Sequence, residues 1–237
     1  MEQVVSEQLA GRRKLEVFNG LSLIPKWNQP GTSGDTGGPS NLPHGTYSWI
    51  PGNPGSLNIR PVRRSIGKPW DNYYFYNTIQ TETTGAVYFS YEMSVMFPTQ
   101  KDIDACTAWE NEIEVCEAGL AYNMAWQCLL HTAKPAWRLF DLINQKWVQI
   151  VSIPSPAPKP GQFMQVLSKF RMDRSAKTVE HLTLAVNGTE YPVESVHGAK
   201  LKWSAGTNYT HNAFQLDSDG KGTSYTVQLA DVTARRL

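Results

Sequence analysis

Between Val87 and Phe97 the chain alternates without a break: Val87, Phe89, Tyr91, Met93, Val95 and Phe97 share one face, and Tyr88, Ser90, Glu92, Ser94 and Met96 the other. A period of two is the mark of a strand with one face buried and excludes a helix there. Similar runs cover 70–80, 110–117, 120–131, 146–153, 162–172, 179–187, 212–216 and 223–234, separated by turn residues. Asn187-Gly188 and Asp219-Gly220 read as hairpin turns, since both residue types accept positive φ. The only helical stretch expected is a short one within Glu2 to Leu15. Many short strands of even spacing predict two packed antiparallel sheets, an all-β antiparallel β-sandwich of jelly-roll type.

The remaining features bound the rest. Residues 25–61 are crowded with Gly, Pro, Ser and Asn, so a looped N-terminal segment of about 1–61 is expected to lead into one sandwich domain spanning 1–237. With 22 basic against 21 acidic residues and a net charge of +1, the chain lacks the cationic excess that nucleic acid or anionic lipid requires, and neither partner is expected. No apolar run is long enough to span a bilayer, and 1–14 lacks the apolar core of a signal peptide. Either a cytoplasmic protein or a secreted one with its leader removed fits. Cys106, Cys116 and Cys128 lack metal-ligand spacing and are expected as buried free thiols. No cofactor or catalytic metal site is expected, with a structural calcium left open; Asp217-Ser-Asp219-Gly220 has half the residues of a calcium loop, and with no following Glu it reads as a turn. His181 and His197 read as ordinary surface or edge residues.

Alternation also assigns the faces of two strands. In 120–131 the residues Tyr122, Met124, Trp126, Cys128 and Leu130 form an apolar row, leaving Asn123, Gln127 and His131 opposite. In 110–117, Ile113 and Val115 point one way and Glu110, Glu112 and Glu114 the other, at intervals of about 7 Å. If neighbouring strands match faces, Tyr88, Glu92, Glu112, Glu114, Asn123, Gln127 and His131 lie on one surface. Glu117 joins them only if a β-bulge near Cys116 inserts one residue, bringing it to about 5–5.5 Å from Glu112, the separation of a retaining glycosidase pair. The same hexapeptide also suits a solvated acidic strand.

At Glu112-Ile113-Glu114-Val115-Cys116-Glu117, followed by Gly119, the chain resembles the laminarinase-like β-glucanases, glycoside hydrolases with a concanavalin-like jelly roll whose bulged motif is Glu-Ile-Asp-x-x-Glu. The run from His181 to Thr189 and the segment from Ser224 to Arg235 are similar in shape to strands of that family. The resemblance implies Glu112 as nucleophile and Glu117 as acid/base, with Glu114 in place of the family's central Asp. The function expected is a cleft enzyme on a saccharide or polysaccharide, hydrolase-like or lyase-like. A lyase would use His131 or a tyrosine as base, with Arg60, Arg64 and Gln127 to neutralise a uronic carboxylate. Two alternatives use the same sandwich: a small-molecule cyclase or lyase of secondary metabolism with a pocket lined by Trp49, Trp70, Tyr74 and Tyr88, and a carbohydrate-binding lectin without catalysis.

Overall fold

The computed structural model describes residues 16–19, 45–52, 54–61, 72–79, 88–130, 134–201 and 208–236. Within them, β1 (Glu16–Asn19), β2 (Thr46–Ile50), β3 (Gly55–Arg60), β5 (Tyr88–Met96), β10 (Met164–Asp173), β11 (Thr178–Val186), β12 (Thr189–Gly198) and β15 (Tyr225–Arg236) form one sheet. Its order is β12-β11-β10-β5-β15-β3-β2, with β1 paired to the far half of β15. A second sheet runs β4 (Asn72–Ile79), β14 (Tyr209–Ser218), β6 (Cys106–Glu117), β7 (Leu120–Leu129), β8 (Ala136–Asp141), β9 (Lys146–Gln149), with β13 (Lys200–Leu201) also on β7. All pairings are antiparallel. The fold is the expected all-β sandwich. No described helix is long and apolar enough to cross a membrane.

The alternating rows meet between the sheets. Phe89, Tyr91, Met93 and Val95 of β5 face Trp109, Ile113 and Val115 of β6 and Tyr122, Met124, Trp126 and Cys128 of β7 across one buried core. Trp109, Trp126 and Trp137 pack edge-on or tilted, with centroids 4.9, 5.7 and 6.1 Å apart. The Trp126 indole donates to Ser168 Oγ (3.1 Å), and Ser168 donates to the Tyr91 carbonyl (3.2 Å), so one buried chain of hydrogen bonds joins the two sheets.

Several expectations need correction. The Gly/Pro-rich segment is not all loop, since β2 and β3 pair within it from Thr46↔Arg60 to Ile50↔Ser56. A Cβ on Gly55 would lie 2.0 Å from the Trp49 ring, so a residue without one lets the indole lie over this strand. Asp219-Gly220 is a turn but not a hairpin, because it carries the chain from β14 in one sheet to β15 in the other. Asn187-Gly188 does close a hairpin, with φ of 50° and 79°. His181 is not a surface residue; it is 1% exposed. The helix expected within 2–15 lies outside the described residues.

One helix that alternation did not signal, α1 (Gln100–Ala105), is held by a capping box between Thr99 and Asp102. Asp102 accepts from Thr99 N (2.9 Å), Thr99 Oγ1 (2.6 Å) and Thr226 N of β15 (2.8 Å). Asp102→Ala strands two backbone N–H groups and the cap, and is expected to cost about 2–3 kcal/mol in chemical denaturation. An unchanged midpoint would show that the box does not anchor the helix to β15.

Candidate active site on the outer face of the seven-stranded sheet

Strand β6 runs between β14 and β7, and the registers Gln215↔Glu110↔Gln127 and Ala213↔Glu112↔Ala125 place outward residues in rungs across the sheet. The first rung continues to Arg138 of β8 and Gln149 of β9. A third rung reads His211↔Glu114↔Asn123. Tyr74 and Tyr76 of β4 stand opposite Gln215 and Ala213. Outward-pointing Ala125, Ala213, Glu110 and Gln127 are buried, while Glu112, Glu114, Arg138, Phe140, Trp147, Gln215 and Asp217 are half-buried. The buried side chains thus form the floor and the half-buried ones the walls of a candidate cleft.

Inside it the polar groups are tied together. Gln127 Nε2 donates to Glu110 Oε2 (3.0 Å), and Arg138 Nη2 donates to Gln127 Oε1. The Arg138 guanidinium also lies over Trp147, 5.9 Å from the ring centroid, and Trp147 packs on Phe140 at 5.2 Å. Glu114 Oε1 accepts from Tyr209 OH (3.2 Å) and lies 3.6 Å from the Cys116 thiol. Gln215 Nε2 donates to Asp217 Oδ1 (3.1 Å). Burial pushes the Glu110 carboxyl well above the usual carboxylate range; the charges of Asp217 and Glu112 add to this, and the Gln127 hydrogen bond and Arg138 oppose it. Asn123 Oδ1 and Arg138 Nε are buried without a hydrogen-bond partner. Among the described residues, no group of three or more His, Cys, Asp or Glu side chains is placed to hold a metal ion.

Of the residues singled out in the sequence, Glu112, Glu114, Asn123 and Gln127 come together here, and Tyr74 stands at the same register as Glu110. Tyr88 and Glu92 do not. Their strand, β5, belongs to the opposite sheet, where Glu92 accepts from Gln165 (2.8 Å) on that sheet's outer face. Trp49 and Arg60 sit on β2 and β3 of the same opposite sheet. His131, Trp70 and Arg64 lie outside the described residues. Cys106, Cys116 and Cys128 are free and buried. Asp219 spends Oδ1 on the Lys221 amide (2.9 Å), as in an ordinary turn.

The bulge expected at Cys116 does not form. Pairing is continuous from Ala108↔Leu129 to Glu117↔Leu120 on one side of β6 and from Ala108↔Asp217 to Cys116↔Tyr209 on the other. Glu117 therefore shares the inward face of Ile113 and Val115, where Arg174 grips it with Nε at 2.9 and 3.0 Å and Nη2 at 2.9 Å. An uninterrupted strand turns every second residue over, so Glu117 cannot stand beside Glu112. Glu117→Gln is expected to leave turnover within about 3-fold while lowering stability by about 1–2 kcal/mol, since a partly buried bidentate pair is broken. A loss of activity with an unchanged melting point would restore Glu117 to the site.

No protein-family model and no curated protein matches the sequence. Among solved structures, the fold is similar to alginate lyase vAL-1 from a Chlorella virus, with TM-score 0.54 and 9% identity over 92% of this chain and 97% of that one. It also matches alginate lyase Aly36B in complex with alginate trisaccharide (TM-score 0.49, 12% identity, 82% and 87% covered) and peanut lectin (TM-score 0.47, 10% identity, 94% and 98% covered). These neighbours are concanavalin-like sandwiches, and at such identities the likeness is one of fold alone. Nothing in them ties the Glu112 to Glu117 motif to laminarinase-like enzymes in particular.

Proposed function

We propose that the cleft binds a neutral saccharide and hydrolyses a glycosidic bond, with Glu110 as general acid and Glu112 as general base. The observation that carries this reading is the pair itself. Two carboxyl groups share one face, and burial together with nearby Asp217 and Glu112 favours the protonated form of Glu110. Carboxyl groups set apart in this way supply an acid and a base at one pH. Side chains rising from alternate positions of a strand stand about 7 Å apart. That falls within the roughly 6.5–9.5 Å that leaves room for a water in single displacement. Glu110 gives its proton to the leaving oxygen as that C–O bond breaks. Glu112 takes a proton from the water whose oxygen forms the new bond on the opposite side of the ring. The free anomer first released is therefore inverted.

The sugar chemistry follows from the walls. Phe140 and Trp147 offer aromatic surface for stacking on a sugar ring. Neutral rather than uronic sugars fit the charge: Glu110, Glu112, Glu114 and Asp217 place four carboxyl groups on this face. Ionised carboxylates beside a polyuronate would repel it. A floor of Asn123, Gln127 and Glu110 is too polar for the closed apolar pocket of a cyclase.

A panel of neutral glycans and polyuronates, followed by proton NMR of the first-formed products, tests this. Hydrolysis of a neutral glycan with inversion is expected. Unsaturated uronic products would replace it with the lyase reading, and binding without turnover would replace it with a lectin.

A further inference from the structure

The geometry points to Arg138 as a positioning residue that, through the carboxamide of Gln127, fixes which oxygen of Glu110 carries the proton. The inference rests on Glu110 as the acid and deepens that assignment. Its basis is the direction of two hydrogen bonds on one rung, Glu110↔Gln127↔Arg138, built from three adjacent strands.

A guanidinium only donates, so the end of Gln127 that meets it must be the carbonyl oxygen. Arg138 Nη2 indeed meets Gln127 Oε1. The other end of the same amide is then NH2, which can only donate, and Nε2 donates to Glu110 Oε2 at 3.0 Å. An oxygen that accepts along that line does not also point a proton back along it. The acidic proton of Glu110 is thereby assigned to Oε1, the oxygen Gln127 does not engage. Were the amide reversed, its NH2 would oppose the guanidinium, and its oxygen would draw the Glu110 proton into an internal hydrogen bond, away from any substrate.

Gln127 is 3% exposed, so water cannot easily hold the amide in its place. Arg138 is in turn held over Trp147, 5.9 Å from the ring centroid. The charged groups that act on Glu110 are Asp217 of the adjacent β14, Glu112 of β6 itself and Arg138 of β8, one strand beyond β7, while β7 supplies the neutral Gln127. Among the described residues, Arg138 is the one shown to carry positive charge there and to reach the amide. Its partners across the rung are Gln127 and Gln149, and neither can replace a donor-only group in setting the amide's direction. Sequence inspection marked Gln127 as a ligand for substrate; its contacts give it a relay role instead.

The test compares Arg138→Met with Arg138→Lys, the second keeping a donor-only charged end. The first readout is hydrogen exchange of the Gln127 side-chain NH2 protons by NMR, which needs no substrate. In the native protein and in Arg138→Lys these protons are expected to be protected. In Arg138→Met protection is expected to fall at least about 10-fold as the amide turns over. The second readout is kinetic: kcat is expected to fall about 10–100-fold in Arg138→Met with KM within about 3-fold, and the alkaline limb of the pH profile to move upward. Arg138→Lys should recover most of kcat. Equal protection of the Gln127 amide in the native and Arg138→Met proteins would overturn the inference even if Glu110 proves to be the acid. If Glu110→Gln retained full activity, the acid assignment would fall while the exchange result still reported whether Arg138 orients the amide.

Discussion

Replacing Glu110 or Glu112 with Gln is expected to lower kcat on the cleft's glycan by about 10²–10⁴-fold, the usual contribution of a positioned acid or base. The two variants should differ in ways that a merely structural pair would not. Gln at position 110 can still accept from Gln127 Nε2, as the native carboxyl does at 3.0 Å. It also removes a titratable group that burial and the charges of Asp217 and Glu112 disfavour in its ionised form. Above the ordinary carboxylate pKa that group is ionised in the unfolded chain and resists ionisation in the fold, so it lowers stability there. Glu110→Gln should thus be inactive and at least as stable as the native protein at neutral pH, the exchange of stability for activity expected at a functional site. Glu112→Gln removes one of the like charges acting on Glu110, so any residual activity should show its alkaline limb at lower pH. Both effects are read from kcat/KM against pH with thermal melts beside them. Native turnover in both variants would remove the hydrolase assignment, and a melting point that fell along with turnover in Glu110→Gln would make the pair structural.

The parts of this site that were legible in the sequence are those carried by a single strand. Alternation sorted β6 and β7 into an inward row containing Trp126, which is fully buried, and an outward row containing Glu112, Asn123 and Gln127. Which strands lie side by side was not legible, because the chain changes sheet from β4 to β5 and again from β5 to β6. Tyr88 and Glu92 therefore went to the sheet opposite Glu112. Glu117 was misplaced by a motif that needs a bulge, in a strand whose register has none there. Arg138 was missed for a local reason: in Ala136-Trp-Arg-Leu-Phe-Asp141 both rows hold an aromatic, which blurs the alternation. Trp137 and Leu139 at buried alternate positions were the available signal. β12 was missed because it is an edge strand with Pro192 and two Glu residues, and its inward face is only half-buried. The unusual chemistry of Glu110 depends first on its burial among neighbouring strands and then on Asp217, far away in sequence on β14, so no local pattern could show it.

The same long-range effect makes His181 the source of an expected acid sensitivity. Its ring is 1% exposed, edge-on to Phe170 at 5.1 Å and to His197 at 5.3 Å, and both ring nitrogens lack hydrogen-bond partners. Burial first, and the neighbouring His197 second, push its pKa down to about 3. An unfolded histidine titrates near 6.5. Between those values the unfolded chain holds a proton that the fold refuses, so stability falls as pH falls, by about 1.4 kcal/mol per pH unit. His197, also lowered by burial although Asp141 opposes this, adds a smaller effect of the same sign. Glu110 acts in the opposite sense, since a raised carboxyl binds its proton more readily in the fold, and stability from that group rises as pH falls toward the ordinary carboxylate range. The net curve of the native protein therefore mixes opposing slopes. The difference between it and His181→Phe isolates one of them. The phenyl ring keeps the edge-on packing and removes both unpaired nitrogens. The two proteins should keep a constant stability difference above about pH 6.5 and diverge in favour of the variant below it, reaching about 3 kcal/mol near pH 4.5. Denaturant midpoints across that range measure the divergence, and parallel curves would show that the buried imidazole is not what acid attacks.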